Sequence, residues 1–70
     1  MFPIHQNNQF DVLSKREVEI LECLSRGFCS REVADSLFIS VHTVDTHRRN
    51  IIKKMNVKST VELMNLYWQD

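Results

Sequence analysis

Thr46, Arg49, Asn50 and Lys53 fall on one side of a helical stretch. A hydroxyl, a guanidinium, an amide and an ammonium in one row are the groups that hydrogen-bond to base edges and phosphates of duplex DNA. Arg pairs bidentately with guanine and Asn with adenine, while Asp45, on the flank of the row, is an acceptor suited to cytosine N4. Such a row also serves solubility alone, so its setting decides. Here it follows a short helix from Ser30 and a tight turn at Phe38 and Ile39. That is the arrangement in which one helix braces a second, and the second offers its outer side chains to the major groove.

Other chemistry is poorly served. No Ser, Cys or Lys has an obvious general base beside it, and a chain of 70 residues leaves little room for a closed pocket, so the chain reads as a non-enzyme without cofactor or small-molecule ligand. His47 lies on the inner flank of its helix and is expected as a packed, hydrogen-bonded residue. Cys23, Cys29, His42 and His47 lack finger-like ligand spacing, so no metal site is expected. The two cysteines read as small buried hydrophobes in a reducing cytosol. The start, Met1-Phe2-Pro3-Ile4-His5-Gln6, lacks the pattern of a signal peptide, and no apolar run has the length of a membrane span. A cytoplasmic protein with no membrane partner is expected.

Nine Lys and Arg balance nine Asp and Glu, and formal neutrality weighs against a simple phosphate binder. Distribution outweighs the sum. Between Asp45 and Lys58 stand Arg48, Arg49, Lys53, Lys54 and Lys58 against one acid, whereas Glu17, Glu19 and Glu22 gather elsewhere. The chain is a dipole with a positive end that can meet DNA.

The elements that position these groups are helical. A single Gly and a single Pro leave little room for hairpins, and the pattern predicts an all-α fold: four helices in a helix-turn-helix domain without a winged element. Ser14-Lys15-Arg16-Glu17 is a capping box that opens a helix to about Arg26, with Gly27 as its left-handed close. Ser30 is the expected cap of the second helix, which turns Val33, Ala34 and Leu37 inward; Ile39 plugs the core. Ser40 caps the third. With Val44 as origin, Ile51 and Met55 lie within about 20° of it, and the row from Thr46 to Lys53 lies opposite. Asn56 closes this helix. Ser59-Thr60-Val61-Glu62 is a second capping box, opening a helix to about Trp68. Leu63 and Tyr67 serve the core. Val61, Met64 and Trp68 form a surplus apolar stripe, read as a partner surface, with self-association the simplest use. Residues 1–12 show no period and are expected as a loosely ordered arm before a domain spanning 13–70.

The segment from Leu13 to about Tyr67 resembles the LuxR-type helix-turn-helix family, also called NarL/FixJ or GerE-type. The resemblance is carried by Leu13-Ser14-x-Arg16-Glu17, Ile20-Leu21, Gly27, Glu32-Val33-Ala34, Leu37-x-Ile39-Ser40, Thr43-Val44, His47, Ile51 and Lys54-Met55-Asn56-Val57. It implies a bacterial transcription regulator that binds double-stranded DNA, with the third helix in the major groove and the fourth forming a homodimer contact. Asp45, Thr46 and Arg49 occupy the outward positions from which members read bases, and Asn50 joins them by phase. Arg31 matches a position near the phosphate backbone, and Thr43 and Lys54 match positions of backbone contact or support. Ser40, Lys53 and Lys58 complete the expected backbone set, and RNA polymerase is a further candidate partner. Asp45 stands where many members carry Lys, and Asn56 where Gly is frequent. Many members join this domain to a receiver or ligand-binding domain, so a free-standing regulator and an excised effector domain are both open. The rival reading is a protein-interaction module of this fold that inhibits a full-length regulator through its fourth helix.

Overall fold

The computed structural model describes residues 9–68. Gln9–Val12 form one 3-10 turn, followed by α1 (Lys15–Ser25), α2 (Ser30–Leu37), α3 (Val41–Met55) and α4 (Thr60–Tyr67). No strand occurs among the described residues, and the all-α expectation holds.

Local chemistry sets most of the boundaries. At α1 the Glu17 N–H donates to Ser14 Oγ at 3.2 Å and the Ser14 N–H to Glu17 Oε1 at 2.9 Å, a complete capping box. Beyond Arg26, Gly27 takes φ +90°, a conformation that side chains disfavour. At α3, Ser40 Oγ accepts from the Thr43 N–H at 3.0 Å, and Asn56 closes the helix at φ 58°, ψ 42°.

Two helix starts depart from expectation. The N-cap of α2 is Cys29 rather than Ser30: the Cys29 N–H donates to Glu32 Oε1 at 2.9 Å, so the carboxylate fixes the start one residue earlier. The Ser30 hydroxyl is thereby freed, and it donates to Asp45 Oδ1 at 2.9 Å. Cys29 is exposed in consequence, and only Cys23 is half-buried as foreseen. At α4, Ser59 Oγ accepts from the Glu62 N–H at 3.2 Å, but Glu62 Oε1 turns to the Lys58 N–H at 2.7 Å. The second box therefore closes one residue outside the cap.

The helices share one core. Ile20 and Leu21 of α1, Val33 of α2, Val44 and Ile51 of α3 and Leu63 of α4 are each at most 1 % exposed. Leu37, Ile39, Met55 and Tyr67 pack around them, partly buried. Each full burial contributes about 1.5–3 kcal/mol. A domain this small retains only about 3–5 kcal/mol from a single core, so it cannot spare one of these side chains. Residues 9–12, expected within the arm, belong to this unit: Phe10 packs on the core and meets Tyr67 edge to face at 5.8 Å. The part of the expected arm before Gln9 lies outside the described residues. α3 touches α1, α2, α4 and the 3-10 turn, which makes the helix carrying the polar row the centre of the fold.

Candidate nucleic-acid interface

Burial of Val44 and Ile51 fixes the rotation of α3, and the opposite side faces solvent. Arg49, Asn50 and Lys53 are exposed there and Thr46 is half-buried. Thr46 Oγ1 donates to the His42 carbonyl at 3.0 Å, which leaves its oxygen able to accept from outside. Asn50, Lys53 and Lys54 line a shallow open depression. His42, also exposed, heads the row and was not among the expected contacts. The signal was there, since His42 lies about 160° from Val44 by the same helical arithmetic.

The expected phosphate contacts divide. Ser40 and Thr43 sit at the N-terminus of α3, where Ser40 Oγ donates to Thr43 Oγ1 at 2.9 Å, the two hydroxyls pinning one another. Arg31 is exposed in the first turn of α2, and Lys58 is exposed between α3 and α4. Among the described residues Arg31, Arg49, Lys53 and Lys58 carry no ion pair. Lys54 differs, because its Nζ stands 2.8 Å from Glu17 Oε1. Glu17 is only 4 % exposed. Burial works against its ionisation, but the hydrogen bonds from Lys54 and Ser14 outweigh burial and hold the carboxyl below its usual range. Lys54 is thus engaged in joining α3 to α1.

Asp45 is engaged as well. Its Oδ1 accepts from the Ser30 hydroxyl at 2.9 Å and from the Arg48 guanidinium at 3.2 Å. The carboxylate clamps the start of α2 to α3 and stands beside the polar row rather than in it. At Glu32 the Cys29 N–H likewise holds the carboxyl below its usual range. His47 is packed on the inner flank as expected, but its buried Nδ1 has no hydrogen-bond partner among the described residues.

The apolar stripe of α4 splits in two. Val61 is 71 % and Trp68 56 % exposed, whereas Met64 turns to the core. Asn65 is exposed alongside Val61 and Trp68, so the outward face is mixed. Trp68 meets Tyr67 edge to face at 5.3 Å, which ties the exposed indole to a ring on the core. No helix among the described residues is long and apolar enough to cross a membrane.

Comparison with known proteins agrees with this architecture. A family model described as bacterial regulatory proteins, luxR family, matches residues 11–67. The oxygen regulatory protein NreC of Staphylococcus carnosus is 47 % identical over 58 residues, covering 83 % of this chain and 27 % of that protein. NreC of Staphylococcus haemolyticus is 41 % identical over 61 residues, 87 % of this chain and 28 % of its own length. The chain spans about a quarter of the length of the curated relatives it matches. With four capped helices, a braced third helix and a match running through all of them, the chain belongs to the luxR family of bacterial regulatory proteins, DNA-binding transcription regulators rather than enzymes.

Proposed function

We propose that this chain binds double-stranded DNA sequence-specifically, with α3 in the major groove. His42, Thr46, Arg49 and Asn50 face base edges, and Arg31, Ser40, Thr43, Lys53 and Lys58 meet phosphates. The outward face of α4, centred on Val61 and Trp68, pairs with a second copy so that two α3 helices address two half-sites. The setting is the bacterial cytoplasm, with RNA polymerase as a further partner, and the relatives' printed role in oxygen regulation suggests the genes concerned. One observation carries most of this: Arg49 and Lys53 are exposed and, among the described residues, carry no ion pair, on the outer side of a helix whose inner residues Val44 and Ile51 are fully buried.

Selection of bound sites from a random DNA pool, followed by titration of Arg49→Ala on the recovered site, tests it. Loss of a bidentate guanine contact weakens binding by about 1–3 kcal/mol and relaxes preference at one base pair. Affinity and preference that both survive Arg49→Ala would remove α3 from the groove.

A further inference from the structure

The turn between α2 and α3 contains a side chain that the fold does not account for. Phe38 is 93 % exposed, so its ring buries almost nothing against the described residues. It also sits at φ 59°, ψ 43°, a left-handed conformation in which a bulky L-residue is disfavoured. Asn56 makes the comparison within the same molecule. It closes α3 at φ 58°, ψ 42°, the same conformation in the same structural position, with a residue type suited to it. Neither the backbone nor the core of this chain therefore favours an aromatic ring at position 38.

Its surroundings indicate what does. Phe38 lies two residues before Ser40, the N-cap of α3, and Val41 in the first turn is itself 42 % exposed. Exposed His42 and the Ser40–Thr43 hydroxyl pair follow directly. The ring is thus continuous with the N-terminal end of the DNA-facing surface, the end from which recognition helices reach base edges. Given the groove placement of α3 proposed above, on which this depends, we infer that Phe38 is a DNA-contact residue: its ring lies at the lip of the major groove against hydrocarbon of the duplex. Thymine C5-methyl groups and deoxyribose C–H groups both offer that chemistry, and Phe is among the side chains that use thymine methyls.

Phe38→Asn separates the two roles, because Asn suits the left-handed turn but offers no ring. The full chain is titrated on the duplex recovered by selection from a random pool, beside wild type and Arg49→Ala, with thermal melting of each protein. Phe38→Asn is expected to raise the melting temperature by about 3–6 °C, since it relieves the turn. It is expected to weaken binding about three- to ten-fold, the scale of one lost apolar contact. Replacing single thymines by uracil identifies the source. A loss in wild type that vanishes in Phe38→Asn assigns the methyl group, whereas a uniform Phe38→Asn loss on every duplex assigns the sugar edge. DNA affinity unchanged in Phe38→Asn while Arg49→Ala weakens it would overturn the inference and assign the ring to a protein partner. If Arg49→Ala also binds as wild type, the groove placement of α3 fails first.

Discussion

Lys54 Nζ and Glu17 Oε1, 37 positions apart in sequence, stand 2.8 Å apart and join the last turn of α3 to the first turn of α1. Glu17 is at once the carboxylate of the α1 capping box and the partner of a cation on α3. One nearly buried acid thus ties α3 to its scaffold alongside the shared core.

Lys54→Ala strands that carboxylate. Removing one partner of a fully buried pair costs about 3–5 kcal/mol, but Lys54 keeps 42 % of its side-chain surface in water, so about 1–2 kcal/mol is expected. Lys53→Ala breaks no ion pair and should leave stability unchanged. It should instead weaken binding to every duplex and flatten the salt dependence by about one counterion. Chemical denaturation of both variants, with DNA titrations across a salt series, checks the division of labour.

Acidification should act through the same pair. The Glu17 carboxyl is held below the ordinary value of 4.5, so it contributes stability above that pH and loses the contribution as pH falls through its lowered folded value. Melting temperature should therefore drop progressively as pH is lowered from about 5 toward 3. Glu17→Gln should start lower at neutral pH and show a shallower acid limb. Parallel acid limbs in the two proteins would place the sensitivity elsewhere, with Glu32 next in line because the Cys29 N–H lowers it too.

Asp45 is predicted to act by clamping rather than by reading bases. Asp45→Ala removes an acceptor from the Ser30 hydroxyl and frees the Arg48 guanidinium. Stability should fall by about 0.5–1.5 kcal/mol, while affinity for random-sequence DNA rises and its salt slope steepens by about one. Asp45→Asn, which keeps an acceptor for Ser30 but not the charge, should show the DNA effect with less loss of stability. Loss of preference for cytosine at one position, with no change in salt slope, would restore Asp45 to direct readout.

The fourth helix gives a prediction about stoichiometry. Val61→Asp with Trp68→Ala changes two exposed positions and gives up the Trp68–Tyr67 ring contact, while Leu63 still anchors α4 with no exposed surface. Circular dichroism should show an intact fold, while two-to-one binding on a two-site duplex disappears. Cooperative pairing by the double variant, measured by gel shift on that duplex, would rule out α4 as the contact.

The sequence disclosed what is local and concealed what is not. The Ser14–Glu17 box, the Asn56 stop and the phase of α3 depend on residues within one or two turns, and all three are found. The start of α2 lies one residue before the expected cap because Glu32 accepts from the Cys29 N–H and the Ser30 hydroxyl turns to Asp45, fifteen positions away. Nothing near Lys54 in the sequence marks Glu17 as its partner, so the sequence assigns Lys54 to backbone contact or support. Met64 falls on the edge of the α4 stripe, where only the packing of neighbouring helices settles whether it faces in or out. The four residues from Gln9 to Val12 are too short to show a period, and their docking emerges in the packing of Phe10 on the core and on Tyr67.

Val44 and Ile51 are buried on the same helix that presents Arg49 and Asn50, so under the proposed groove placement one segment is both keel and reading edge. Positions 42, 49 and 50 stand in solvent and contribute little to the core. On that placement, exchanges there redirect the preferred operator while the inner row keeps the helix in place. Descendants of one such gene can therefore diverge in target within a few substitutions and need no compensating change in the interior.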